Sequence, residues 1–226
     1  MNEIRVAWQV GRIAPEATHA LRRALLRGGR ADAAVSFPDD AAPGALHLGV
    51  WAGDPERRPQ GSHRPGEGDV AEPGEEPAGA PIGVASFLPA PAPDALLVLL
   101  GPAGAPATTG APSAPPPDPD RVPAGPAPVH GPDHPSGSSS HLPTLVFQLR
   151  GMAVSSRWQG SGAGSALLRH GLDVLEASGA TLVWANGRDP ALAFYRRHGF
   201  VVLGDGFLGA EGVPHHWIAR RLGRLR

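Results

Sequence analysis

Apolar and polar positions along this chain fall into stretches with clear periodicity, separated by long stretches with none. Ile4 to Val10 alternates in part (Ile4, Val6, Trp8, Val10) and predicts a first strand. Pro15 then stands where a helix favours its first residue, with Glu16 in the first turn. Ala17, Ala20, Leu21, Ala24 and Leu25 recur at helical spacing until Gly28 and Gly29 end the pattern, which predicts a helix with one face on a sheet. Ala45 to Ala52 and Ile82 to Leu88 read as the second and third strands. Further on, Leu149, Met152 and Val154 mark a fourth strand, Ser155 to Trp158 a polar turn, and Gly160 to Gly164 a cluster of small residues before a helical pattern from Ser165. Gly164, Leu167, Leu168, Gly171, Leu172 and Leu175 share one face of that helix, and Gly179 is its expected left-handed cap. Thr181 to Ala185 reads as a buried strand, Asn186 to Pro190 as a turn, Ala191 to His198 as a short helix stopped by Gly199, and Phe200 to Leu203 as another strand.

Two stretches lack this patterning. Residues 53–80 are rich in Pro, Gly and charge, and residues 89–143 hold sixteen prolines. Neither buries enough apolar surface to offset the ~1 to 2 kcal/mol per residue of backbone ordering, so both are expected to be low-complexity, disordered insertions. Loop closure cost grows only logarithmically with length, so a single domain over 1–226 can tolerate them. Ala95 to Leu100 is the exception, a short apolar run that fits either an edge strand or a cover over an apolar patch.

Composition narrows the function. Gly 31 and Pro 27 in 226 residues exceed ordinary usage, so much of the chain is not packed core. A formal charge of -1 gives no long-range attraction to nucleic acid, although Arg220, Arg221, Arg224 and Arg226 form a local basic tail. The absence of cysteine excludes disulfides, a thiol nucleophile and thiolate metal sites. No signal segment or membrane span stands out, so a cytoplasmic location is expected, with no membrane or nucleic-acid partner. A homodimer is left open.

The order strand, glycine-rich loop, helix is suited to anion capture. The first helical amides lack intrahelical acceptors, the macrodipole adds positive charge there, and glycines let the backbone approach a phosphate. No Asp, Glu or Asn lies between Ser155 and His170 to serve the helix start. The loop is not a Walker loop, since the chain has no lysine. It is not a dinucleotide fingerprint, since Ser165 or Leu167 falls where the third glycine belongs. It is not a nucleophile elbow, since Gln159 and Ala163 precede Ser161 and Ser165 where glycine is needed.

Gln159, Gly160, Ser161, Gly162, Ala163 and Gly164 instead match a Gln/Arg-x-x-Gly-x-Gly/Ala pattern. This resembles the pyrophosphate loop of the GNAT acyltransferase superfamily. Downstream, the run from Asn186 through Phe194 and Tyr195 to Gly199-Phe200 resembles the second signature of that superfamily. The resemblance is clear over residues 145–222 and topological before 90. It implies a mixed α/β fold with a mostly antiparallel central sheet flanked by helices, and an N-acetyltransferase moving acetyl from acetyl-CoA to a primary amine of a small molecule or protein by direct attack in a ternary complex, with no metal. A GNAT module that binds CoA or a protein partner without turnover is the alternative.

The resemblance also implies roles. The pantetheine arm would pair with Met152, Ala153 and Val154 where the fourth and fifth strands splay. The pyrophosphate would sit on the loop from Gln159 through Gly160, Ser161, Gly162, Ala163 and Gly164 to Ser165, and Asn186 would bond the arm. Tyr195 would be the general acid, since a phenol (pKa ~10) can donate to a thiolate whose conjugate acid lies near ~8.5. Arg157 and Arg169 are candidates for further phosphate contacts. The pair in Val213-Pro-His-His-Trp217 supplies imidazoles suited to a general base, but neither His is singled out, and Asp205 or a water relay stays open. No metal-ligand spacing accompanies the pair.

Overall fold

The computed structural model describes residues 7–53, 79–102, 145–209 and 212–223. Seven strands form one sheet in the order β1-β2-β3-β4-β5-β7-β6. They are β1 (Trp8–Arg12), β2 (Leu46–Ala52), β3 (Gly83–Pro89), β4 (Val146–Val154), β5 (Leu182–Arg188), β6 (Val201–Leu208) and β7 (Pro214–Arg221). Every pairing is antiparallel except β4 with β5. The helices are α1 (His19–Leu21), α2 (Asp94–Leu100), α3 (Ala163–Ala177) and α4 (Leu192–Arg197). This is the mixed, mostly antiparallel architecture that the resemblance implies.

Side-chain alternation gives the sheet two unlike faces. On one, Leu46, Leu48, Val50, Phe87, Phe147, Val183 and Ile218 pack with Leu167, Leu168, Leu172 and Leu175 of α3 and Leu192 and Tyr195 of α4. Glycine at 171 weakens α3 locally, but a Cβ there would lie 2.3 Å from the Phe87 ring. The close approach of helix to sheet therefore requires it. On the other face, Leu182, Trp184, Leu203, Trp217 and Ala219 lie under Leu96, Leu99 and Leu100 of α2. The apolar run at 95–100 is thus a helix that covers a patch, not an edge strand. Its outer side leaves Leu97 and Val98 exposed.

The same second face is polar over β2, β3 and β4, and there the structure departs from expectation. The first helical segment is a 3₁₀ turn (Pro15–Thr18), α1, and a π turn (Arg22–Leu26). Ala17, Ala20 and Ala24 of the expected apolar stripe face solvent, while Thr18 and Arg22 are buried. Arg22 donates to Asp40 through both terminal nitrogens (2.7 and 3.0 Å), to the Val35 carbonyl (2.9 Å) and to Ser86 Oγ (2.6 Å). Its guanidinium also lies 4.3 Å from the centre of the Phe37 ring. His47 Nε2 is 2.8 Å from the Asp40 carbonyl, which can only accept, so this nitrogen carries the hydrogen. Nδ1 then accepts from Ser86 Oγ at 2.7 Å. Burial pushes the Asp40 carboxyl upward, but hydrogen bonds from Arg22 and the Phe37 amide outweigh it and hold the group below the ordinary carboxylate value.

β5 runs on through Asn186, Gly187 and Arg188, where the sequence predicts a turn, and β6 begins at Val201 instead of Phe200. Ile4 and Val6 of the first expected strand, most of both expected insertions (54–78 and 103–143), and Arg224 and Arg226 lie outside the described residues.

Candidate active site

The site originates in a divergence of two strands. β4 and β5 pair only through Val146 with Leu182, Phe147 with Val183 and Gln148 with Trp184. Beyond that point β4 continues on β3 to Val154, and β5 continues on β7 to Arg188. The cause is visible in β4. Ser86 pairs with Arg150 and Val84 with Ala153, so two residues of β4 oppose one of β3, and such a bulge bends its strand. Gly151 makes this bulge with φ +60, and a Cβ there would sit 2.6 Å from Arg22 Nε. The parting of the strands, the buried arginine and the glycine are therefore one arrangement.

A cavity of about 220 Å³ occupies the gap. Met152 and Ala185 line it from the diverging strands, with Asn186 beside them and Tyr195 reaching in from α4. Arg22, Leu26 and Phe37 line it from the first helical segment and the loop after it. Since α4 and that segment cover opposite faces, the cavity passes through the sheet.

Tyr195 is buried, and its hydroxyl points at Met152 Sδ, 3.9 Å away. Burial pushes the phenol up to about 12, an effect partly opposed by the positive charge of Arg188. The hydroxyl thus remains a donor throughout the neutral range. Asn186 Oδ1 is buried without a hydrogen-bond donor. A buried acceptor left in this state is costly, and a ligand amide N–H can satisfy it.

The glycine loop lies next to the cavity but does not line it. Gly160 (φ +77) and Gly162 (φ +98) are left-handed, a conformation strained for other residues. Gly162 is the N-cap of α3, with no side-chain cap bond and no acidic residue in the first turn. Gln159, Gly160, Ser161 and Gly162 are exposed, and the Gln159 side chain is tied to the Val154 carbonyl (3.0 Å). Ser165 Oγ lies 3.0 Å from His198 Nε2. Burial, then Arg169, Arg197 and Arg220, lower the pKa of His198 and keep its ring neutral. A fixed, open helix start of this kind can accept a phosphate.

Of the residues predicted for the site, Met152, Asn186 and Tyr195 come together at the cavity. Ala153 is buried and Val154 half-buried on β4, while Gln159, Gly160, Ser161, Gly162, Ala163, Gly164 and Ser165 form the neighbouring helix start. Arg157 and Arg169 are exposed.

The two histidines of β7 separate by strand alternation. His215 lines the cavity and stacks on Phe207, whereas His216 turns to Asp189 (2.8 Å). His215 Nδ1 lies 2.6 Å from the Val213 carbonyl, which fixes the hydrogen on Nδ1 and leaves Nε2 with its lone pair. Sequence reasoning missed Arg22, Gly151, Phe37 and Arg188. Arg22 carried no signal, because an arginine in a helical pattern reads as surface charge. Among the described residues no group of three or more His, Asp or Glu is arranged to hold a metal, and no helix is long and apolar enough to cross a membrane.

Residues 129–200 match the model of the acetyltransferase (GNAT) family. The chain is 34% identical over 71 residues to YitI, an uncharacterized N-acetyltransferase of Bacillus subtilis (strain 168). That match covers 31% of this chain and about half of the relative (47%). Among solved structures, a candidate N-acetyltransferase from Lactobacillus plantarum superposes with a TM-score of 0.52 at 15% identity, covering 96% of this chain and 99% of that one. ElaA of Escherichia coli gives 0.50 at 13%, with coverage of 95% and 99%. An acyl-CoA N-acyltransferase from Pseudomonas aeruginosa gives 0.50 at 15%, with the same coverage. At these identities the structures speak for the fold alone. The chain is thus similar over residues 129–200 to the acetyltransferase (GNAT) family, and the solved structures share its fold.

Proposed function

We propose that this protein is an N-acetyltransferase that takes acetyl-CoA as donor and a primary amine as acceptor, with both bound at once. The observation that carries the reading is the parting of β4 and β5 around a cavity that holds Tyr195 and an unsatisfied Asn186 Oδ1. Acetyl-CoA would supply a thioester whose carbonyl carbon accepts the amine, so that a C–N bond forms as the C–S bond breaks.

The residues present fit that donor. Met152, Ala153 and Val154 would hold the pantetheine arm along the free edge of β4, and Asn186 Oδ1 would accept from one of its amides. The amides from Gln159 to Ser165 would receive the pyrophosphate at the start of α3. A backbone N–H of β4 would donate to the thioester oxygen as it gains charge, a contribution of ~2.7 to 4 kcal/mol in comparable acyl-transfer sites.

His215 Nε2 would take the proton the amine must lose. Tyr195 would donate to the departing sulfur in place of Met152 Sδ. With its phenol near 12, complete transfer to a thiolate whose conjugate acid lies near ~8.5 is uphill. Its main contribution is therefore a hydrogen bond that strengthens as the sulfur gains charge. An exposed glycine loop and a cavity that holds a fixed donor and a fixed base favour turnover over simple binding.

The test is thiol release from acetyl-CoA with an amine panel. Tyr195→Phe is expected to lower kcat about 10²-fold, with acetyl-CoA affinity within about twofold. His215→Gln is expected to act similarly. Unchanged kcat in both variants would remove these roles, and no thiol release from the wild type with any amine would remove the activity.

A further inference from the structure

A group of cations lies outside the cavity, beside the first turn of α3. Ser165 Oγ is 3.0 Å from His198 Nε2, and the Arg220 guanidinium donates to the His198 carbonyl (2.6 Å). Arg169 Nε donates to the Ser165 carbonyl (3.3 Å), which folds that side chain back along α3 toward the glycine loop. Arg197 ends α4 and precedes His198 in the chain. The positive charges of Arg169, Arg197 and Arg220 all act on the half-buried His198 ring.

No carboxylate offsets these charges. Among the described residues no Asp or Glu forms an ion pair with any of the three, Asp173 one turn beyond Arg169 included. The bonds to backbone carbonyls leave both terminal nitrogens of Arg169 and one of Arg220 open to a ligand, and Arg197 is exposed. None of these residues lines the cavity, so they do not serve the reacting groups.

Resting on the proposed use of acetyl-CoA, we infer that Arg169, Arg197 and Arg220 bind the phosphate monoester that CoA carries on its ribose, and so select CoA over a donor that lacks it. The donor bears two anionic groups separated by that ribose, a pyrophosphate and the monoester. Two anion sites that share Ser165 match them, the amides at the start of α3 for the first and the guanidinium groups for the second. Guanidinium forks fit phosphate oxygens in bidentate geometry. Phe194 bridges the two sites, with one ring atom 3.7 Å from the Cβ position of Gly164 and its centre 4.7 Å from that of the His198 ring.

The experiment titrates acetyl-CoA and acetyl-dephospho-CoA calorimetrically into the full chain, and separately adenosine 3′,5′-bisphosphate and AMP. A charge-assisted hydrogen bond corresponds to about ten- to hundredfold in affinity, and the exposure of Arg169 and Arg197 sets the expectation at the lower end. Acetyl-CoA is therefore expected to bind about tenfold tighter than acetyl-dephospho-CoA, and the bisphosphate to exceed AMP by a similar factor, with both ratios falling as salt is raised. The double variant Arg169→Gln, Arg197→Gln is expected to bring both ratios below about twofold with affinity for acetyl-dephospho-CoA unchanged. The corresponding double lysine variant is expected to keep part of each ratio. Arg196→Gln, exposed on the same helix but not among the charges acting on His198, is expected to keep both in full. Equal affinity of the wild type for the two thioesters would overturn the inference and leave the acetyltransferase reading in place. So would a double glutamine variant that weakens both thioesters alike, which marks a structural role. Failure of both thioesters to bind the wild type would instead remove the acetyltransferase reading, and the bisphosphate-to-AMP ratio would still decide whether the cluster holds a phosphate monoester.

Discussion

Two helical segments with similar apolar spacing fold to opposite outcomes. α3 buries the face its sequence marks, with Leu167, Leu168, Leu172 and Leu175 against the sheet. The first helical segment turns Ala17, Ala20 and Ala24 outward and buries Thr18 and Arg22. The difference lies in side-chain size. Each buried CH₂ contributes only ~0.8 kcal/mol, so a stripe of three alanines with Leu21 and Leu25, both half-buried, drives orientation more weakly than the four buried leucines of α3. A single arginine with a bidentate carboxylate, a carbonyl, a hydroxyl and an aromatic ring then decides which way the first segment faces. That inverted face forms one wall of the cavity, while α3 supplies the rigid base for the glycine loop.

Removing one partner of the buried pair is expected to have the largest effect on the first segment. Asp40→Ala leaves the Arg22 charge uncompensated and is expected to lower unfolding free energy by ~3 to 5 kcal/mol, read by urea denaturation. The double change Arg22→Met with Asp40→Leu is expected to recover most of that loss. A loss below about 1 kcal/mol for Asp40→Ala would show that the ionic layer does not hold the segment.

In α3 the corresponding change is apolar. Leu172→Ala is expected to cost ~2 to 5 kcal/mol by the same measurement, with no recovery from any charge change. A cost well under that range would mean that the stripe of α3 is not what anchors it.

Tyr195 stands between the two regions, and as the only tyrosine it can be titrated by phenolate absorbance without interference. Its folded midpoint is expected near 12 against 10 in the unfolded chain. The group is raised, so its contribution, on the order of 3 kcal/mol for two pKa units, is complete below pH ~10 and is lost as pH rises toward 12. A folded midpoint at the ordinary value would show an open, solvated phenol.

The smallest effect belongs to the outward stripe. Ala20→Gln is expected to change stability by less than ~0.5 kcal/mol, since that side chain is exposed. A large loss there would restore the orientation the sequence suggests.

What was legible in the sequence follows the same division. From Leu149 to Phe200, large apolar residues set the period, glycines stand where left-handed turns are needed, and the order of elements reads correctly. Ala95 to Leu100 was ambiguous because a six-residue apolar run fits either a strand or a helix. Arg22 and Gly151 were illegible because their roles depend on each other across distant elements. The choice between His215 and His216 needed the register of β7 against β5 and β6, which a one-residue shift would reverse.

On the proposed reading, the start of α3 and the parted strands together hold acetyl-CoA. The direct test is calorimetric titration of acetyl-CoA into the full chain and into the double variant Gly162→Val, Gly164→Val, with circular dichroism to verify folding. Valine at 162 cannot readily adopt φ +98, and at 164 it adds methyls where Met152, Val154 and Phe194 lie within 4 Å of the Cβ position. Binding on the order of micromolar is expected in the wild type, weakened at least tenfold in a folded double variant. No binding to the wild type, or equal affinity in the two proteins, would contradict it.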